Sequence, residues 1–222
     1  MNPIVIKLSD ELKQKAPQMA LGIIQCKVSN TSFNPELWEE IKKVTMEVRQ
    51  NQTFEGIKDQ PQIAATRQVY TNCGKEPSRY RPSAEALMRR IVKGQDLYQI
   101  NTLVDLINLV SLKTGYSIGG FDAEYINGNI EAAIGSEGEP YQGIGKGELN
   151  IHNLPVLRDS IGAFGTPTSD EIRTSIRLET THFLMTINGY TGAADMQGAM
   201  EYSLWLLNKF LSAKEIVTYT IE

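Results

Sequence analysis

The chain has 222 residues, 41% hydrophobic and 22% charged, with a net charge of −4 and an isoelectric point near 5.4. That balance fits one globular domain with a real core and excludes wholesale disorder. It also argues against a surface that follows a nucleic-acid backbone on all sides, because such binding needs many displaced counterions, although a local basic patch stays compatible with it.

The start MNPIVIKLSDELKQK lacks the charged and apolar regions of a secretory leader. No apolar run reaches the ~20 residues that cross a bilayer. A cytoplasmic protein with no membrane partner is expected. Cys26 and Cys73 share no CxxC spacing, so neither a disulfide framework nor a zinc site is suggested, and no metal or cofactor is expected.

In chain order, Pro3 to Leu8 reads as a short strand and SDELKQK as a helix start. Met19 to Val28 is a short, continuous apolar run rich in Ile and Val, and it reads as a buried strand. NPELWEEIKKVTMEVRQ opens with Asn34 before Pro35 and puts Leu37, Ile41, Val44 and Val48 on one helical face. Two more helices are predicted at Gln62 to Thr71 and Pro82 to Lys93, the second stopped by Gly94.

That second helix turns Leu87, Met88, Ile91 and Val92 inward and carries Arg89, Arg90 and Lys93 outward. With Lys75, Arg79 and Arg81 before it, residues 75–93 hold six basic side chains against Glu76 and Glu85, a local +4 in an acidic chain. The pattern suits either a solvated helix face or a phosphate-contacting patch.

The next helix, about Ile100 to Leu112, is apolar nearly all round except for Asn101, Asp105 and Asn108, which fall on one narrow line. A buried polar line must find partners in backbone, water or ligand.

Nine of the eighteen glycines lie between Gly115 and Gly147, where short strands joined by tight turns are predicted, with NGN at 127–129 as a hairpin signal. GIGKGELN is not a phosphate loop, since it lacks the GK[ST] ending and no helix follows. Further strands are expected near Val156 and from Thr181 to Ile187, then a helix from Ala193 to Ser212 and a closing strand in EIVTYTIE.

His152 and His182 have no metal-ligand or nucleophile spacing around them. What remains is a polar set: Asn108, Asp122, Asp159, Asp170, Glu171, Arg173 and Thr174, with Gly119, Gly120, Gly162 and Gly165 between them. Such groups suit binding of a zwitterion, or orienting a water toward an ester with an acid as general base. They equally suit aspartates that brace turns and an arginine that pairs with one of them.

Taken in order, RYRPSAEALMRRIVKGQDLYQINTLVDLINLVSLKTGYSIGGFD, GEPYQGIG, LRDSIGAFGTPTSDEIRT and ETTHFLMTING resemble the B-three/B-four domain of the phenylalanyl-tRNA synthetase beta subunit in a free-standing form. The likeness runs from about Arg79 to the C-terminus. It divides a single domain, 1–222, into an N-terminal extension over 1–75 packed on a B-three/B-four-like core over 76–222.

The resemblance implies an α+β fold with a β-sandwich core of unusual topology wrapped by helices. In the synthetase this module is the editing site, which hydrolyses tyrosine wrongly attached to the phenylalanine tRNA, and the family is described as tRNA-binding. By that likeness Asn108 lines the pocket, and the GGFD turn of Gly119, Gly120 and Asp122 walls it. Asp170 or Glu171 takes the place of the catalytic acid. The polar set read from the residues themselves adds Asp159, Gly165, Arg173 and Thr174 to the expected ligand site. Gly119 stands where bacterial synthetases typically carry a histidine.

The expected partner is tRNA or aminoacyl-tRNA, with Arg79, Arg81, Arg89 and Arg90 as its contacts and hydrolysis of a mischarged aminoacyl ester as the reaction; DNA is not expected. The alternative is a non-enzymatic module that binds an amino acid or small metabolite in the same pocket. The chain is too short for a complete aminoacyl-tRNA synthetase. Asn108 and the double-glycine turn are expected to face one shared hollow.

Overall fold

Ser9 follows directly on a strand and Asn34 ends an irregular segment, and each starts a helix. Ser9 Oγ accepts the Leu12 N–H at 3.2 Å and Asn34 Oδ1 accepts the Leu37 N–H at 3.0 Å, so each satisfies a donor that the first helical turn leaves open. The computed structural model describes residues 3–222. In chain order these form β1 (Ile6–Leu8), α1 (Asp10–Lys15), β2 (Ala20–Lys27), α2 (Pro35–Asn51), α3 (Pro61–Asn72), α4 (Ser83–Val92), α5 (Thr102–Thr114), β3 (Ser117–Asp122) and β4 (Ile130–Ile134). They continue with β5 (Gln142–Gly143), β6 (Gly147–Glu148), β7 (Pro155–Arg158), β8 (Ala163–Gly165), β9 (His182–Gly189), α6 (Gln197–Leu211) and β10 (Lys214–Ile221).

One sheet has the order β10-β2-β9-β3 and is antiparallel throughout. The other has the order β1-β4-β7-β8 and is parallel only between β1 and β4. Strands β5 and β6 pair as a small separate hairpin.

Side-chain alternation divides the first sheet between two cores. Leu21, Ile23, Phe121 and Leu184 face Ile6, Ile130, Leu157 and Phe164 of the second sheet. Ile24, Cys26, Phe183 and Met185 face a helical layer that includes Ile41 of α2, Met88 of α4, Leu106 of α5 and Leu207 of α6. A strand covered on both faces needs no polar alternation, which is why β2 reads as one apolar run. The fold is α+β with several sheets. Residues before position 76 are threaded through it, since β2 lies between β10 and β9.

Two local expectations are corrected. Gly128 adopts φ +80°, as a tight turn requires, but β3 and β4 belong to different sheets, so NGN carries the chain across the layers and joins no hairpin. Ile100 lies outside α5 and is 56% exposed, while Asn101 caps the helix by accepting the Val104 N–H at 3.0 Å. Among the described residues, no helix is long and apolar enough to cross a membrane, and no group of three or more His, Cys, Asp or Glu is placed to hold a metal ion.

Candidate functional site

Gly119 and Gly120 are consecutive in a strand and therefore open to opposite faces. A Cβ on Gly120 would stand 2.2 Å from Cδ1 of Ile107, so that glycine exists to let α5 pack against the sheet. Gly119 pairs with Thr186 of β9 and faces the second sheet. There it borders a small gap lined by Met19, Phe121, Leu157, Gly165, Thr166, Asp170, Thr186 and Asn188 among others. The gap offers about 10 Å³ to the centre of a water-sized sphere, room for one water molecule.

The expected hollow shared by Asn108 and the glycine turn is thus replaced by contact: an apolar residue of α5 meets Gly120, and Asn108, half-buried, does not line the gap. The polar line on α5 has local partners instead. Asn101 is a cap, and the buried Asp105 accepts Trp38 Nε1–H at 2.8 Å and the Ile100 N–H at 3.0 Å. Burial raises the Asp105 carboxyl above its ordinary range despite those two bonds.

Asp170 sits at the end of the loop after β8. Its Oδ2 accepts the Gly120 N–H at 3.1 Å, a donor on the side of β3 away from β9, where the sheet ends. Desolvation outweighs the hydrogen bonds from Gly120 and the Thr166 main chain and pushes the carboxyl up to about 8. Thr186, fully buried in the same gap, has a hydroxyl with no hydrogen-bond partner. The Thr174 hydroxyl is likewise buried and unpartnered. Convergent polar groups on a glycine-lined gap are what a binding site requires. Phe121 belongs to the GGFD turn expected to wall the pocket, whereas Met19, Thr186 and Asn188 carry no local sequence signal for this role, since each is one residue of an ordinary buried segment.

The other expected site residues are committed to the fold. Asp159 forms a two-pronged pair with Arg173, with Nη1 to Oδ2 and Nη2 to Oδ1 both 3.0 Å, and also accepts the N–H groups of Asn127, Ile161 and Gly162. Burial acts to raise the Asp159 carboxyl, but these bonds together hold it below the usual range. Asp122 accepts the Glu124 N–H and the Thr180 hydroxyl. Glu171 accepts the Arg173 N–H at 2.6 Å.

The arginines are brought together elsewhere. Arg79, Arg81, Arg89 and Arg90 line one cleft of about 280 Å³ with Phe54, Lys93, Gln95 and Lys146. Lys75, from the same basic stretch, is directed inward, where it donates to the carbonyls of Asn150 and His152. Loop 166–170 ties the gap to the chain segment that bears these arginines. Asp170 lies at one end, while the Pro167 carbonyl accepts the Ser83 N–H at 2.7 Å and Thr168 Oγ1 donates to the Tyr80 carbonyl at 3.1 Å.

Compared with known proteins, residues 65–204 match the B3/4 domain family. A crystal structure of an N-terminal fragment of the phenylalanyl-tRNA synthetase beta-subunit from Pyrococcus horikoshii is similar to this chain over its full length, at 12% identity and a TM-score of 0.47; the chain spans 55% of that one. No curated protein matches.

Proposed function

This chain belongs to the B3/4 domain family, and on that premise we propose that it binds the aminoacylated 3′ end of a tRNA, with the aminoacyl group directed at the gap beside Asp170. The observation that carries this reading is loop 166–170, which puts a carboxyl group in the gap while being hydrogen-bonded to the segment that bears the arginines. The sequence resemblance to the synthetase editing module supports the same ligand.

The reaction open to these groups is ester hydrolysis. Below about pH 8 the Asp170 carboxyl holds its proton, and above it the carboxylate is able to accept one from an attacking water. Glu171 is less suited, because its carboxylate already accepts the Arg173 N–H. The gap admits only a water-sized sphere as it stands, so an aminoacyl group must displace part of the lining. Met19 is unbranched and is the lining side chain best able to yield.

Deacylation of correctly and incorrectly charged tRNA, and of an aminoacyl-adenosine as minimal ester, tests this at pH 7 and pH 9. Hydrolysis that rises with pH and disappears in Asp170→Asn is expected. No hydrolysis, together with equal binding of charged and uncharged tRNA, would refute the reading. A thermal shift with a free amino acid in that case would point to a metabolite-binding module.

A further inference from the structure

Six cationic side chains, Arg79, Arg81, Arg89, Arg90, Lys93 and Lys146, converge on the cleft over α4. Among the described residues, the one carboxylate in ion-pair contact with any of them is Glu85, at 2.8 Å from Arg89 and 3.9 Å from Arg81. Glu85 is fully buried and is shared with Arg67 at 3.0 Å. Arg90 binds neutral acceptors, the Asp96 carbonyl and the Gln95 side chain. The cleft therefore carries a large uncompensated positive charge on a chain of net charge −4.

A solvated helix face would not recruit a lysine from a distant element, yet Lys146 arrives on the turn of the β5–β6 hairpin. Burial, and secondarily the neighbouring Arg81, lower its pKa. Cations held this close repel each other, and a bound anion would relieve the repulsion.

Aromatic rings lie among these charges. The Arg89 guanidinium and the Lys93 ammonium stand 4.3 and 5.3 Å from the Phe54 ring centre. The Arg90 guanidinium lies 3.9 Å from that of Tyr98, which is 67% exposed. Flat faces interleaved with cations are the arrangement that takes unpaired bases and their phosphates, since every base has a π-face to stack. An acidic peptide would use the charge and leave the rings idle.

We infer that the α4 cleft seats the phosphodiester backbone of an unpaired RNA strand, with Tyr98 and Phe54 as stacking surfaces. The inference rests on the proposed function and adds a second site to it, separate from the gap.

Fluorescence anisotropy with a labelled single-stranded RNA, the same sequence as a duplex, and poly-glutamate as competitor tests it. If three phosphates are neutralised, raising salt from 50 to 200 mM should weaken single-strand binding by about twenty-fold. Arg90→Gln/Lys93→Gln/Lys146→Gln should lose at least about ten-fold in affinity, and Tyr98→Ala part of that. Lys42→Gln/Lys43→Gln/Lys113→Gln removes the same charge from exposed ion pairs outside the cleft and should bind as the parent does.

Equal losses in the two triple variants, tighter binding of duplex, or equal displacement by poly-glutamate would each overturn the inference. Hydrolysis of the minimal ester by a protein that binds no RNA would remove the cleft and leave the gap. RNA binding through the cleft without ester recognition would do the reverse.

Discussion

Asp170 accepts the main-chain N–H of Gly120 from the outer side of β3, closing a sheet edge with a side chain fifty positions away in sequence. An edge strand leaves such donors exposed, and a neutral cap there does not require a charge to be buried.

This makes stability depend on pH in a defined direction. An unfolded aspartate titrates near ~3.9, and the folded Asp170 carboxyl is pushed up to about 8. Between those values the native state binds more protons than the unfolded state, so the stabilisation is complete below the lower value and is lost as pH rises through the upper one. The parent should therefore lose stability relative to Asp170→Asn between pH 5 and pH 9. Urea unfolding of both proteins across that range checks the slope, and parallel curves would contradict the assignment.

Gly119 and Gly165 flank one ring. A Cβ on Gly119 would stand 2.6 Å from Phe121 Cζ and one on Gly165 would stand 2.7 Å from the same atom. The ring has little freedom to retreat, being fully buried and edge-on to Phe164 at 4.9 Å between centres. Gly165→Ala should destabilise by about 1–3 kcal/mol through overpacking. Denaturant midpoints would show it, and Phe121→Leu in the same chain should recover part of the loss.

What was legible in the sequence is what local chemistry decides. Asn34 and Pro35 set the start of α2, the continuous apolar run of β2 signalled coverage on both faces, and helical spacing placed Arg89 and Arg90 outward with Met88 and Ile91 inward. The failures belong to tertiary choices. Nothing local in NGN shows whether the chain returns along its own sheet or crosses to the other. The polar line on α5 leaves its partner open between backbone, water and ligand, and Asp105 finds one in Trp38, sixty-seven positions earlier. Thr186 and Asn188 reach the gap because β9 alternates between two cores, and strand alternation is invisible where both faces are buried.

Glu85 holds the cleft in shape. It is fully buried with Arg67 and Arg89 at 3.0 and 2.8 Å, and removing one member of a buried ion pair leaves its partners without compensation. Glu85→Ala should destabilise by about 3 kcal/mol, and a Glu85/Arg67 double-mutant cycle should show strong coupling. Additive effects in that cycle would mean that the ion pair contributes nothing.

Thr186 separates a structural role from a binding role most cleanly. Thr180, also buried, donates its hydroxyl to Asp122 at 2.7 Å, so Thr180→Val should destabilise by about 1.5–3 kcal/mol, as loss of a hydrogen bond to a charged group does. The buried Thr186 hydroxyl has no such partner, and replacing it with a methyl of the same shape removes a desolvated group and breaks no bond. Thr186→Val should therefore be neutral or more stable by about 1 kcal/mol. If the hydroxyl is kept for a ligand, the same variant should bind the aminoacyl ester more weakly while unfolding no earlier, the opposition expected where a site is held at the expense of stability. Paired urea unfolding and ester-binding titrations of Thr186→Val and Thr180→Val decide it. Destabilisation of Thr186→Val to the level of Thr180→Val would show that the hydroxyl serves the fold and not a ligand.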